Sequence, residues 1–337
     1  MKVGVLSFAH THAAGYVHEL STLPGIEVLA TDPDGVSSDP AQPRGRALAE
    51  QLGVAYADTY EDVFAWGPDA VIVTAENSRH RPLVELAARH GVDVLCEKPL
   101  ATSQADGEAM VAACREAGVR LGVAYPVRFH RAYAAVKAAA ASGALGEILL
   151  VTGANNGRLP AGARAWFVDP ELAGGGALMD HTVHIADLVD DLLDGQPAVE
   201  VYAQANNLLY EGTVSVETAG LVTVRYANGV IVTIDCSWSQ PLSHPRWGGV
   251  EVQVIGTGAV AEMDAFGQLV GGWDQRDKTA FALPWGSDLD HDLLSSFLLG
   301  TSPTGMTVAD GEAGLRSLRV ALGAMESARS GQAVRLD

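Results

Sequence analysis

Over the first third of the chain, short apolar runs alternate with stretches of helical spacing. Strands are predicted at residues 3–6, 26–31, 70–74, 92–96 and 119–124. Between them, residues 13–20, 46–52, 81–89 and 104–117 carry helical periodicity or strong helix formers. Alternation of this kind predicts βαβ units on a parallel sheet. Right-handed crossovers then bring the C-terminal ends of all strands to one edge. Ligands of such sheets bind at that edge, near the switch in strand order.

After Tyr125 the pattern changes. A helical stretch at 132–141 precedes a strand at 147–155, and the glycine run Gly174-Gly175-Gly176 leads into a helix at 179–193. Long alternating segments follow at 199–206, 215–226, 230–239 and 250–255, with Asn228-Gly229 as a hairpin turn between two of them. This half reads as α+β with a mostly antiparallel open sheet. An amphipathic helix at about 308–330 closes the chain before Gly331. The expected division is a dinucleotide-binding domain over 1–124 and a substrate-binding and oligomerisation domain over 125–337. The strands 215–226 and 230–239 carry Leu221, Val222, Ile231, Val232 and Trp238. A sheet face that no helix covers must be buried against another copy, so a homodimer or homotetramer is expected.

Composition narrows the class. The 337 residues are 48% hydrophobic and 19% charged, enough apolar material for a packed core. No apolar run approaches the roughly 18 residues of a membrane span. The first residues lack the pattern of a secretory leader, and three cysteines do not make a disulfide framework. A soluble cytoplasmic protein is expected. The net charge of −19, from 22 basic and 41 acidic residues, argues against nucleic acid or an anionic membrane as partner. Lysine occurs only at Lys2, Lys98, Lys137 and Lys278. Arginine is this chain's generic cation, so a lysine in an apolar stretch invites a chemical explanation.

Where a dinucleotide fold carries G-x-G-x-x-G, the first strand–turn–helix reads Ser7-Phe8-Ala9-His10-Thr11-His12. Ser7 and Ala9 are small enough for a tight turn, and the helix behind it offers N–H groups to a pyrophosphate. An ordinary βα turn would look similar. Asp32 ends the second strand, where a carboxylate accepts bonds from ribose hydroxyls and favours NAD over NADP. It also fits a turn, Asp32-Pro33-Asp34-Gly35, and the nearby Arg44 and Arg46 keep NADP open. Glu97-Lys98-Pro99 sits at a strand's C-terminal end, where an ammonium can exchange a proton as a guanidinium cannot. Asp180 and His184 are one helical turn apart, as are His181 and His184. A carboxylate beside an imidazole suits acid–base chemistry. The same three residues suit a partial metal site, or simply an acidic helix start. No metal is expected to be required.

Together these motifs resemble the NAD(P)-dependent oxidoreductases named for glucose–fructose oxidoreductase, inositol dehydrogenase and the rhizopine-catabolism protein. The resemblance covers nearly the whole chain. It rests on residues 96–101 (Cys-Glu-Lys-Pro-Leu-Ala) and 174–188, with support from Asn77 to His80, Tyr125 to Phe129, Trp166 and 326–331. It implies a Rossmann domain followed by an α+β domain, a Lys98–Pro99 bond that is often cis, and Lys98, Asp180 and His184 as the catalytic set. It further implies cofactor contacts at Phe8, Ala9, His10, Thr11, Asp32, Thr74, Glu76, Asn77, His80, Glu97 and Lys98. Substrate contacts are implied at Tyr125, Arg128, Asn156, Trp166 and His181. Three features depart from the family pattern: the lost glycines, Glu76 where proline is common, and His181 where an apolar residue is common. The implied activity is NAD-dependent hydride transfer at a hydroxyl-bearing carbon of a sugar or polyol. Two alternatives remain: an enzyme that uses bound NAD transiently for oxidation and elimination, and a non-catalytic NAD-binding regulator.

Overall fold

The computed structural model describes residues 1–35, 42–244, 246–267, 269–274, 276, 279–284, 286 and 288–336. Lys278 lies outside the described residues. In chain order the first elements are β1 (Lys2–Leu6), α1 (His12–Thr22), β2 (Glu27–Thr31), α2 (Gly45–Leu52), β3 (Ala55–Ala57), α3 (Tyr60–Trp66) and β4 (Ala70–Val73). Next come α4 (His80–Arg89), β5 (Asp93–Glu97), α5 (Gln104–Ala117), β6 (Leu121–Ala124), α6 (Arg131–Ala141), β7 (Ile148–Gly157) and the single-turn α7 (Pro170–Ala173). Then follow α8 (Ala177–Leu192), β8 (Ala198–Asn206), β9 (Ala219–Tyr226), β10 (Ile231–Ser237), β11 (Gly248–Gly256), β12 (Val260–Asp264), β13 (Leu269–Asp274) and β14 (Thr279–Pro284). The last are α9 (Leu289–Leu299), β15 (Ala309–Asp310), α10 (Gly311–Ser330) and β16 (Val334–Arg335). The five predicted strands of the first third are present. β3, with three residues, and α3, with seven, escaped the sequence reading because both are too short for a visible period. α3 is nonetheless locally encoded: the Thr59 side chain accepts from Asp62 N, and Gly67 ends the helix at φ 75°.

The chain forms two compact units. The first comprises Met1–Pro126, Pro160–Gly174 and Asp290–Leu318; the second comprises Val127–Leu159, Gly175–Leu289 and Arg319–Asp337. A single cut near residue 124 therefore misses two returns of the chain to the first unit. Both have a packing reason. Phe167 and Trp166 cluster with buried Ala9, and Ala309 of β15 adds an antiparallel strand beside Val123 of β6.

The first unit is built on a sheet of order β15-β6-β5-β4-β1-β2-β3, parallel except for β15. The order reverses between β1 and β4, so the crevice above these strands is the topological switch point. β1 and β4 are almost wholly buried, as expected of strands covered on both faces. Gly4 permits this packing: a Cβ there would stand 2.7 Å from Val63 Cγ1.

The second unit carries a sheet of order β12-β11-β7-β10-β9-β8-β16. All its pairs are antiparallel except β7 with β10. α8 packs on one face and is buried along most of its length. The strands alternate accordingly. Val222, Val232 and Trp238 are buried, whereas Leu221 is 59% and Ile231 44% exposed. The apolar set expected on an uncovered face is thus divided between the two faces, because neighbouring side chains point oppositely along a strand.

Candidate active site

Four strand ends of the first unit meet along one edge. β1 delivers the turn from Ser7 to Thr11, β2 delivers Asp32, β4 delivers Thr74 to Asn77, and β5 delivers Glu97 and Lys98. Ser7 takes φ 76°, the left-handed conformation that the first glycine of the dinucleotide pattern normally supplies. Three bonds stabilise it there. Its hydroxyl donates to Asp32 Oδ1 at 3.0 Å and accepts from Ala9 N at 3.2 Å, and its carbonyl accepts from Thr74 Oγ1 at 2.7 Å. His10 N donates to the Thr74 carbonyl at 2.9 Å. A glycine-poor turn therefore keeps the conformation of a glycine-rich one by hydrogen bonding. Phe8, Ala9 and His10 are buried in it, and Thr11 is exposed.

Asp32 is buried, and Arg44 grips both carboxylate oxygens, with Nε 3.0 Å from Oδ2 and Nη2 2.7 Å from Oδ1. Gly45 N adds a bond to Oδ2 at 2.9 Å. Burial alone would raise this carboxyl; the Arg44 bonds and charge, with backbone N–H groups, outweigh it and hold Asp32 below the usual range. Arg44 Nη1 also reaches Glu76 Oε1 at 2.9 Å. Glu76, the departure from proline, thereby gains a partner within the first unit. Arg46 pairs with exposed Asp58 and lies over the Tyr56 ring, so of the two arginines Arg44 is the one on the carboxylate.

Two residues expected at the cofactor also hold backbone. His80 is completely buried. Its Nδ1 lies 3.1 Å from the Pro99 carbonyl and 3.2 Å from that of Leu100, and its Nε2 lies 3.2 Å from that of Ala75. It ties the end of β4 to the segment after Lys98. Asn77 Nδ2 donates to the Ala173 carbonyl at 2.8 Å and so anchors α7. The Lys98–Pro99 bond is cis. Trp166, expected with the substrate domain, belongs to the first unit. Its Nε1 donates to the Ala9 carbonyl at 3.0 Å, and its ring stacks on Phe167 at 4.0 Å. Tyr125 is buried at the end of β6.

Glu97 ends β5 fully buried. Its Oε1 accepts from Tyr16 at 2.7 Å and lies 2.9 Å from His12 Nδ1; its Oε2 accepts from Lys98 N at 3.1 Å. Burial would push this carboxyl up, but His10, His12 and Lys98 hold it well below the usual range. His12 is raised in turn: burial lowers it, and the Glu97 charge and hydrogen bond outweigh that. Tyr16 had no sequence signal beyond its place on an amphipathic helix.

In the second unit the site residues sit on α8. Glu217 caps its start, its Oε1 accepting from Gly176 N at 2.8 Å and Leu178 N at 3.1 Å. Gly176 is required here, since a Cβ would fall 2.0 Å from the Glu217 carbonyl oxygen. Asp180 Oδ2 accepts from Trp238 Nε1 at 3.1 Å and lies 3.3 Å from His181 Nε2. His181 Nδ1 is 2.8 Å from the Asn155 carbonyl, and the ring meets Trp238 edge-on. The polar His181 thus has backbone and Asp180 partners where the family commonly buries an apolar side chain. His184 lies one turn beyond Asp180 and is partly exposed. Asn156 Oδ1 accepts from Ser237 Oγ at 2.8 Å. Arg128, expected at the substrate, is buried in an ion pair, with Nε 3.0 Å and Nη2 2.5 Å from the Asp187 oxygens and Nη1 3.4 Å from Asp191. Its fork is already filled by two carboxylates. Glu217 escaped the sequence reading, and Trp238 was read there only as an apolar strand residue; each meets α8 from far along the chain, 41 and 58 residues away, and neither lies in a local motif. Among the described residues, the cluster of three metal-capable groups is His10, His12 and Glu97, not Asp180, His181 and His184.

The edge suits a dinucleotide. Strand order, the left-handed Ser7, the turn before α1 and the β2-terminal carboxylate are all in place, and Asp32 shares its oxygens with Arg44. Comparison with known proteins gives the same answer. Residues 5–125 match the family described as "Oxidoreductase family, NAD-binding Rossmann fold", and residues 133–262 match the GFO/IDH/MocA C-terminal domain. The chain is 31% identical over 300 residues to the 1,5-anhydro-D-fructose reductase of Ensifer adhaerens, covering 87% of this chain and 88% of that one. It is 30% identical over 206 residues to the myo-inositol 2-dehydrogenase of Thermotoga maritima, covering 59% of each. The fold matches an inositol dehydrogenase homologue of Azotobacter vinelandii, complexed with NAD+, with a TM-score of 0.80, 21% identity and coverage of 100% of this chain and 97% of that one.

Proposed function

Because this chain belongs to the GFO/IDH/MocA oxidoreductases, with an NAD-binding Rossmann domain over residues 5–125, we propose that it interconverts a secondary hydroxyl and a carbonyl on a sugar or polyol. The observation that carries this reading is the convergence of Ser7 to Thr11, Asp32, Thr74 to Asn77 and Glu97-Lys98 on one sheet edge at the switch point. The nicotinamide, when bound, supplies the hydride acceptor or donor. Lys98 stabilises negative charge developing on the substrate oxygen, as a fixed cation does in a water-poor site. His184 takes the hydroxyl proton in the oxidising direction. Asp180, held by Trp238, stands one turn before it and orients the imidazole. His181 and Asn156 belong to the substrate side in this reading. Buried Phe8 and Ala9 shape the turn under the dinucleotide.

Three cysteines, Cys96, Cys114 and Cys236, are all buried as free thiols, which supports a reducing, cytoplasmic setting. Tyr202, Leu221, Ile231 and Val260 are exposed on the face of the second sheet turned away from α8. These exposed apolar side chains support a homodimer or homotetramer.

The test is formation of reduced nicotinamide, followed by its absorbance, with a panel of sugars and polyols on nucleotide-stripped protein. NAD and NADP are each supplied. Turnover with a sugar or polyol is expected. No turnover with any of them in either direction, despite tight NAD binding, would overturn the reading.

A further inference from the structure

The β1–α1 turn brings two histidines to a buried carboxylate at the dinucleotide edge. His10 and His12 flank Thr11, and both rings approach the buried carboxylate of Glu97. His12 Nδ1 is 2.9 Å and His10 Nδ1 3.8 Å from the same oxygen, Oε1. One ligand atom from each of the three residues lies within 4.8 Å of the others. In a tetrahedral zinc shell with bonds of about 2.0–2.2 Å, adjacent ligand atoms stand roughly 3.3–3.5 Å apart. The two separations from Oε1 bracket that value. A hydrogen-bonded partner for Glu97 would explain His12 alone. His10 Nδ1 stands 3.8 Å from Oε1, beyond hydrogen-bond distance of the carboxylate but within co-ligation distance.

The surroundings suit a metal. Tyr16 donates to Oε1 and the Lys98 N–H donates to Oε2, and outer hydrogen bonds of this kind orient a ligating carboxylate. His10 is packed between the His12 ring at 4.3 Å and the Phe167 ring at 5.2 Å, which fixes its direction. Its Nδ1 accepts from His12 N at 3.2 Å, so that nitrogen carries no proton, the state that ligation requires. A metal would take this lone pair from an amide in the first turn of α1. His12 is 32% exposed and gives an ion access, while His10 and Glu97 are enclosed.

We propose that His10, His12 and Glu97 form a binding site for one zinc-class divalent transition ion. Two imidazoles and a carboxylate suit zinc, cobalt and nickel rather than calcium or magnesium. Three protein ligands leave one position for water or for an oxygen of a small molecule. His10 and Glu97 are also expected cofactor contacts, but the metal test needs neither nucleotide nor turnover, so its failure is distinguishable from failure of the hydride-transfer reading.

The experiment titrates cobalt(II), and then zinc, into the full chain after removal of nucleotide and metal. Visible absorption reports coordination geometry and calorimetry reports stoichiometry. One cobalt per chain with a strong four-coordinate spectrum, displaced by zinc, is expected. His12→Ala and Glu97→Gln should each weaken binding by at least about tenfold, while His90→Ala, at a histidine stacked on Phe64, should leave it unchanged. Circular dichroism verifies that the variants fold. Absence of a stoichiometric site, a weak six-coordinate spectrum, or unchanged affinity in the folded variants would overturn the proposal. If neither variant folds, the geometry of the unmodified protein's cobalt spectrum decides.

Discussion

The guanidinium of Arg44 lies across the carboxylate of Asp32, Nε 3.0 Å from Oδ2 and Nη2 2.7 Å from Oδ1. A carboxylate at the end of β2 repels a ribose 2′-phosphate, but here a cation is bound to it. Replacing Arg44 with Ala removes that compensation and should widen the preference for NAD over NADP by roughly tenfold, an interaction of about 1.4 kcal/mol. Asp32→Ala should narrow the preference. Dissociation constants for both nucleotides, from quenching of protein fluorescence, check this. An Arg44→Ala protein with an unchanged ratio would refute it.

The same pair makes stability depend on pH. Asp32 has a folded pKa below its unfolded value, so its contribution is present above about pH 3.9 and is lost as the pH falls through the folded value. Asp32→Asn removes the titrating group. The variant should be less stable than the unmodified protein at neutral pH, and should lose less between neutral pH and about pH 3. Urea midpoints at the two pH values measure both effects, and equal acid losses would exclude Asp32 as a contributor.

Glu217 holds the start of α8 through Gly176 N and Leu178 N. Glu217→Ala leaves these donors without their acceptor and should cost about 1–3 kcal/mol. Gln restores one acceptor oxygen and should recover part of the loss. Turnover should fall with Ala even below the unfolding transition, because α8 carries Asp180 and His184. Normal stability and turnover in Glu217→Ala would show the cap to be dispensable.

Lys98→Ala should reduce turnover by about 100- to 1000-fold, the range for one electrostatic donor at a developing oxyanion. Lys98→Arg should restore only part of it, because a guanidinium differs in shape and keeps its protons. His184→Ala should cost about 100- to 10000-fold and flatten the pH dependence of turnover near neutrality. Both variants should retain NAD binding. Near-normal rates in both would remove them from the reaction.

Leu221 and Ile231 are exposed on neighbouring strands, and each carries an apolar side chain away from the face that packs α8. Leu221→Asp combined with Ile231→Lys should lower the mass found by light scattering at micromolar concentration if this face joins copies of the chain. A monomeric unmodified protein would exclude the assembly outright.

What the sequence determined by itself was local or periodic. The five parallel strands of the first third follow from continuous apolar runs, because a strand buried on both faces has no polar alternation to hide it. The dinucleotide edge followed from topology, since right-handed crossovers leave the strand ends no other place. Glu97-Lys98-Pro99 and the stretch from Gly174 to His184 are contiguous and therefore visible. Tertiary structure alone decided which side chains those residues meet. Arg128 has the chemistry of a substrate anchor, but Asp187, 59 residues away, claims its fork. Trp166 follows the domain boundary in sequence yet packs on Ala9, 157 residues earlier. Asp180 sits at helical spacing from His184, but Trp238, which holds its carboxylate, lies 58 residues on. His10 and His12 show their spacing openly, whereas Glu97, 85 residues beyond His12, reaches them only because β1 and β5 end on the same edge. Hydrogen bonds and ion pairs act over about 3 Å, and sequence separation carries no information about which distant groups folding brings within that range.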